Sequence, residues 1–600
     1  MTNASFNNET LHVVDYFNGF LQNQSEKIIN NIFNKYILER SKIDINANRT
    51  TADKIRDLDK QIQKENKEVK QSRFWMTFMR IIGLIIFFVG IIFILWPTVI
   101  SHNFSALTLY LGIGITSTVI GSTIFGLSWL IKKSYLINKD QLNELQSERN
   151  NNFQTARNQL ANLLSHICND LTYTIFEQTY PLIQFTRYFS EADYFNWTMW
   201  LKNDVNTSVL YCLSGTLKTN PFIVLKTKST DMYDHVYTGT ITVMVRRTRI
   251  VDGRTTSYMA PKIISATTTN PAPRYWTDTK LFFKSNAAES LDFVNLGEFK
   301  NEKNAEKFFN KNKQMEPMDN PEFDRYFPCQ RNNEIQFRTL FSPLAQEEMV
   351  KLMKIKNDYH FSKHQTLNII TSPYFNSINF DVNYTPFINL FDYNDIKNAF
   401  INVNKQFFKD IYFMFAPILV IPLYQQYEYR QPLFEKAKQK LLSYVQNESI
   451  ANTMHDINLF KHPQSVTDNI LKTKRIFANS LYEINEIIAY GYRSSTRVVI
   501  VPVTDFEAGL VNVPVTVIDY FSVQKSTYIA NSLVEQTTRD FNQNDNSIKA
   551  IWAKYAKSFN VNNVTKKGII MSMFLGDKKE MNNQDNYKTF LNELKTIKDN

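Results

Sequence analysis

The chain is poor in the residues that most often carry chemistry or permit sharp turns. Its 600 residues include three cysteines (Cys168, Cys212 and Cys329), 15 glycines and 18 prolines. So few thiols, odd in number and far apart in sequence, exclude a disulfide framework and a thiolate metal cluster, and they point to a reducing compartment. The common phosphate cradles are missing, since neither G-x-x-x-x-G-K-[ST] nor G-x-G-x-x-G occurs. G-x-S-x-G, H-E-x-x-H and C-x-x-C are absent too. Familiar ATPase, hydrolase and redox sites are therefore excluded. No catalytic residue, cofactor or metal is expected from the sequence.

Composition is that of folded protein rather than disorder: 43% hydrophobic, 14% aromatic and 21% charged. The net charge is +11 and the pI is near 9.1. A basic balance suits an anionic partner, nucleic acid or the inner leaflet of a membrane. Lysine enrichment from an AT-rich genome accounts for it equally well.

Long apolar runs are the strongest feature. Residues 76–96 carry one charge, Arg80, and end before Pro97, while residues 107–131 carry none. Each reaches the ~20 residues needed to cross ~30 Å of hydrocarbon. The spacing predicts a transmembrane helical hairpin, and the lipid bilayer as a partner. Lys60, Lys64, Lys67, Lys70 and Arg73 precede it and Lys132, Lys133 and Lys139 follow it, whereas the loop from Thr98 to Ala106 has no Lys or Arg. By the bias of cationic residues toward the cytoplasm, the expectation is a multi-pass protein of the cell membrane with both termini inside. Small residues at Gly114, Thr118, Ser122 and Gly126, with Gly83 and Gly90 on the first helix, suit close packing between helices. They suit either the hairpin itself or a homo-oligomer.

The flanks continue as helices. Ile55, Leu58, Ile62 and Val69 lead in, and Phe153, Ala156, Leu160, Leu163 and Ile167 lead out, with coiled-coil spacing. These predict a helical stalk. An earlier amphipathic helix with Val14, Phe17, Leu21, Ile28, Ile32 and Tyr36 is expected to pack on it.

The fold class expected is a membrane-anchored α+β protein, with the stalk followed by a large mixed soluble body. Its segments are N-terminal helices and stalk (1–75), hairpin (76–131), stalk helix (132–170), β-rich domain (171–300), linker or insertion (301–340) and a C-terminal α+β domain (341–600). The clearest β element is Tyr237–Val251 and Arg254–Thr269 joined by Asp252-Gly253, a pair suited to a tight hairpin turn. A further strand is expected from Lys280 to Lys284 after the turn-like Asn270-Pro271-Ala272-Pro273. Residues 344–356, 395–411, 431–447, 470–490 and 547–559 read as helices, and Tyr412–Leu423 as a buried apolar run. Arg497–Val503 and Val511–Phe521 read as strands with Pro502 and Pro514 at edges or bulges.

Three constellations bear on chemistry. His360 and His364 would share a face if helical, but no third ligand accompanies them. His166 and Cys168 stand two apart, so they face different ways on a helix. Arg246, Arg247, Arg249, Arg254 and Lys262 gather on the hairpin and could meet an anionic surface. Nucleic acid is disfavoured, because no aromatic platform has the spacing of such motifs.

The succession YTGTITVMVRRTRIVDGRTTSYMAPKIISATTTNPAPRYWTDTKLFFKSNAAESLDF, Tyr237 to Phe293, resembles a group of low-GC, mollicute-type bacterial membrane proteins with no established activity. Thr267-Thr268-Thr269-Asn270-Pro271-Ala272-Pro273 and Asn286-Ala287-Ala288-Glu289 carry most of the likeness, which covers residues 70–300. The resemblance implies an early transmembrane pair and a β-rich cytoplasmic domain, and it supplies no catalytic residue. The function expected is that of a membrane-tethered scaffold or assembly subunit binding other proteins. The alternative is a membrane-bound enzyme with an unfamiliar site in the C-terminal half.

Overall fold

The computed structural model of the chain describes residues 11–95, 107–167, 169–186, 206–251, 254–355, 358–380, 382, 384–426, 444–453, 459–478, 482–532, 559–565 and 568–577. It is a mixed α/β structure with two long apolar helices and antiparallel sheets. Two compact units are present. One comprises Phe33–Ile167 with Tyr384–Phe400, and the other the rest of the chain.

The first unit is helical. Helix α1 runs Ile45–Leu95 and helix α2 runs Leu107–Ser165. Outside the apolar segments, Ile55 and Leu58 of α1 and Ala156, Leu160 and Leu163 of α2 are buried. This is the seam that the spacing of three and four foretells. Polar side chains fix its register: Gln159 donates to Thr51 Oγ1 at 3.2 Å, Asn162 donates to the Ser41 carbonyl at 2.6 Å, and Arg149 pairs with Asp59 at 3.1 Å. Residues 384–400 add a third partner. Asn48 donates to the Phe391 carbonyl and accepts from the Tyr393 amide, both at 3.0 Å, and Arg56 pairs with Asp392.

The second unit is built on two antiparallel sheets. Strands β1 (Ile183–Thr186), β2 (Thr207–Leu217), β3 (Asn220–Val251), β4 (Arg254–Lys284), β5 (Asp292–Asn295), β6 (Cys329–Arg331), β7 (His360–His364) and β8 (Leu367–Thr371) form the first, in the order β1-β2-β3-β4-β8-β7-β5-β6. Strands β9 (Ile470–Ala478), β10 (Tyr482–Asp505), β11 (Gly509–Ser532), β12 (Phe559–Thr565) and β13 (Gly568–Asp577) form the second, in the order β12-β13-β11-β10-β9. Helix α3 (Tyr393–Leu419) buries its C-terminal part, from Ile411 to Leu419, in this unit. The run 412–423 is thus core, buried from Tyr412 to Ile421 and partly buried at Pro422 and Leu423, with too few apolar residues to span a bilayer.

Several expectations need correction. Residues 301–340 are no linker: they form helices Glu302–Lys311, Pro321–Tyr326 and Glu334–Leu340 and the strand β6. Their Asn residues are N-caps, with Asn301, Asn320 and Asn333 each accepting amides of the following turn. Their Phe residues are core, since Phe293 touches Phe327, Phe337 and Phe341 at ring separations of 5.5–6.5 Å. A boundary at 300 or 340 would therefore cut the eight-stranded sheet. Residues 470–478 and 482–490 are strands β9 and β10 rather than helix, because the β-branched residues there find cross-strand partners from Ile470↔Tyr490 to Ala478↔Glu483. Lys280–Lys284 ends the single long strand β4, and residues 270–273 lie within it. Pro271 and Pro273 are tolerated because that stretch of β4 pairs with β3 alone.

The early helix divides. Residues 11–32 belong to the sheet unit, where Phe17 packs on Phe408 and Tyr412 and Val13 accepts from the Tyr412 hydroxyl at 3.0 Å. Two π-helical turns, Phe17–Leu21 and Phe33–Leu38, shift the buried face, so Ile29 and Ile37 are buried where Ile28 and Tyr36 were expected. The helices expected at 431–447 and 547–559 lie largely outside the described residues.

Among the described residues of the sheet unit, Lys363 is a fully buried cation. Its ammonium donates to the Gln365 carbonyl, and burial pulls it down to about 8. The unfolded amine holds its proton to about 10.4. Between these values the folded state binds fewer protons, so stability rises with pH from about 8 to about 10. Lys363→Met is expected to abolish that rise and to raise stability at pH 7 by at most about 3 kcal/mol. Melting temperatures of the full chain in detergent at pH 7, 8, 9 and 10 test this.

Candidate membrane anchor and interaction surface

The apolar parts of α1 and α2 meet through backbone rather than side chains. A Cβ on Gly83 would lie 2.8 Å from the Phe125 nitrogen, and one on Gly121 would lie 2.5 Å from the Phe87 nitrogen. One turn pair further, a Cβ on Gly90 would meet Thr118 at 2.7 Å, and one on Gly114 would meet Ile94 at 2.6 Å. Each helix thus presents two glycines seven residues apart, Gly83 with Gly90 and Gly114 with Gly121. Of the residues singled out in sequence, Gly83, Gly90, Gly114 and Thr118 lie in this contact, whereas Ser122 and Gly126 are exposed and a Cβ on Gly126 would touch nothing. The reason is rotation. Steps of four advance the contact about 40° each and spiral away, while alternating four and three, as in Gly114, Thr118, Gly121 and Phe125, hold it on one seam.

The outward surface of the hairpin is apolar and bare. Only 11% of the most apolar stretch of α1 and 17% of that of α2 is buried. A core helix of a globular protein would be covered. Among outward groups, Thr116, Ser122 and Thr123 each donate to a carbonyl one turn back, so their hydroxyls need no solvent. The glycine register sets Trp75 level with Trp129, both exposed, and Arg73 with Lys132 and Lys133 just beyond. From that level, residues 76–95 climb about 30 Å. The loop at 98–106 lies outside the described residues.

Strands β3 and β4, 32 and 31 residues long, reach far past their neighbours. Strand β2 pairs with β3 no further than Ser229, and β8 pairs with β4 only from Lys280 on. The remaining hairpin, 231–251 with 254–274, is an arm about 70 Å long. Strands β10 and β11 make a second, shorter projection beyond Tyr490 and Thr527, and the two lie face to face. Val511, Val513, Val515 and Val517 of β11 meet Ile264 and Ala266 of β4, with Ile241 and Val243 of β3 alongside. At Gly239 the second hairpin comes so near that a Cβ would fall 2.2 Å from the Pro514 oxygen.

This pairing uses part of the basic cluster. Lys262 bonds Asp505 at 2.9 Å and Glu507 at 2.8 Å, and Arg247 bonds Glu507 at 3.1 Å. The Lys262 hydrogen bond holds the Asp505 carboxyl below the usual range, and Arg247 does the same for Glu507. Arg246 donates instead to Ser257, and Arg249 lies over Tyr258 at 5.6 Å. Arg254 is exposed beside the Asp252-Gly253 turn, which itself lies outside the described residues. The acidic turn was the missing partner in sequence. Its signal was Asp505 four before Gly509, where the Asp side chain accepts two amides and the glycine takes φ +74°.

The other constellations separate or hold no chemistry. His360 and His364 are exposed at the ends of strand β7, about 13 Å apart along the chain, and cannot share an ion. His166 bonds the Asn162 carbonyl at 2.7 Å, and Cys168 lies outside the described residues. Cys212 and Cys329 are buried, and burial pushes both thiols up, away from the reactive thiolate. A cluster that sequence did not suggest joins His12, Asp15 and buried Glu348. Lys351 already sits in it, 2.8 Å from Glu348 and 3.3 Å from Asp15, so an ammonium occupies the place of a cation. Comparison with family models, curated proteins and solved structures finds no match to this chain.

Gly121→Leu is expected to lower hairpin stability by about 1–3 kcal/mol through overpacking, and Gly126→Leu to change it by less than about 0.5 kcal/mol. Thermal melts of the two variants in one detergent distinguish them, and equal losses would contradict the seam.

Proposed function

We propose that the chain is a membrane-tethered structural or interaction protein. Two transmembrane helices anchor it, and the sheet unit is presented on the cytoplasmic side to other proteins of a membrane-associated assembly. One observation carries the reading: long apolar helices packed on each other through glycine and bare elsewhere, a surface stable in hydrocarbon and costly in water. The level pair Trp75 and Trp129 fits a headgroup belt, and the cationic residues beyond it favour retention of both flanks inside. A body made largely of packed aromatic core and projecting β-arms, with Cys212 and Cys329 buried, suits binding more than turnover.

Two measurements test this. The chain is expected to remain in the membrane fraction after alkaline carbonate extraction. A membrane-impermeant maleimide should label Ser101→Cys in intact cells and Ser134→Cys only after lysis, and the reverse pattern would overturn the topology. Gentle-detergent purification from the native cell should return stoichiometric companion chains. A homodimer or monomer without them would overturn the scaffold.

A further inference from the structure

The outer face of the β3–β4 arm is an exposed sheet surface with almost no charge. It consists of the even residues 232–250 of β3 and the odd residues 255–273 of β4, ten on each strand, the set facing away from the second hairpin. Threonine, serine, methionine, isoleucine, valine and proline fill it, with Ile263 71% and Met244 56% exposed. Asp234 and Arg246 are its two charges. Solvated strands at free edges ordinarily carry lysine and other charges that discourage pairing. A sheet surface of this extent that is nearly free of charge, almost half of it threonine and serine and with Met232, Val236, Met244, Ile250, Met259 and Ile263 all exposed, marks an interaction site.

We propose that this face docks on the same face of a second copy of the chain. Two features select that occupant. Asp234 and Arg246 lie six residues on either side of Thr240 on one strand. A two-fold axis between the sheets at Thr240 reverses the strand direction and sets each Asp234 against the partner copy's Arg246, so both charges are matched twice. The area also suffices. Ten positions per strand span about 65 Å by two strand widths of about 5 Å each, roughly 600 Å² per arm. Two such faces remove about 1,200 Å², at the lower edge of specific stable interfaces. The outer face of β10–β11 is uncharged as well over 494–504 and 510–516, yet it has no opposed pair to set a register. Four glycines of the apolar helices, Gly83, Gly90, Gly114 and Gly121, are taken up within one hairpin, while Gly112 and Gly126 face outward. The inference does not depend on membrane insertion.

The full-length protein, purified in mild detergent, is expected to have the mass of a dimer by light scattering. Packed sheets lie about 10 Å apart, so a bis-maleimide with a spacer of about 8 Å should join two Thr240→Cys chains. The same reagent should leave Thr516→Cys, on the other outer face, uncoupled. Arg246→Asp should cut the coupled fraction at least about fivefold, and Asp234→Arg combined with Arg246→Asp should restore it. Exposed positions keep these variants folded, which unchanged melting temperatures would register. A monomeric mass, coupling of Thr516→Cys as strong as that of Thr240→Cys, coupling to a different chain in native membranes, or failure of the double variant to rescue each overturns the proposal. Loss of the scaffold reading through absent companion chains would leave a coupled dimer intact, so the two failures are separable.

Discussion

A two-stranded ribbon cannot bury a face by itself, and the sheet unit depends on how that constraint is met. Hairpins of this length are marginal in water unless a second layer covers them. Here each covers the other. The valines of β11 dock on Ile264 and Ala266, Gly239 leaves out a side chain that would collide with the Pro514 backbone, and Lys262 and Arg247 close the distal end on Asp505 and Glu507. Apolar contact supplies the attraction, and the ion pairs, being partly open to solvent, mainly fix register. A polar residue in place of Val513 or Val515 would therefore disturb both hairpins together.

The same logic, with backbone in place of side chains, organises the apolar helices. In water, burying a leucine is favourable, but against hydrocarbon it gains little, so association turns on how closely two helices can approach. Four glycines at matched levels permit that approach, and the helix surfaces around them keep leucine, isoleucine and phenylalanine for the surroundings.

Much of this was legible where periodicity is simple. The apolar runs, the heptad seam from Ile55 to Leu58 and from Ala156 to Leu163, and the Asp252-Gly253 hairpin all follow from local spacing. Val251 pairs with Arg254 across that turn as the dipeptide demands. The sequence was less legible where a distant segment decides. Residues 470–490 could be helix or strand until β11 lies alongside. The prolines at 271 and 273 look like a turn until one sees that their strand has a free side. Lys262 and Arg247 look like free cations until Asp505 and Glu507, some 240 residues later, arrive beside them. Ser122 and Gly126 were drawn into the seam by a period of four, when the geometry of packed helices asks for three and a half.

The hydroxyls of the apolar helices carry one last consequence. Because Thr116, Ser122 and Thr123 spend their protons on their own helix, these outward hydroxyls offer a lateral neighbour no free donor. As the membrane anchor proposed above, such a hairpin would be a mooring: it would fix how far the protein can wander and say little about whom it meets. In the function proposed above, recognition would then be left to the sheets, and the anchor and the partner-choosing surface could change independently of each other.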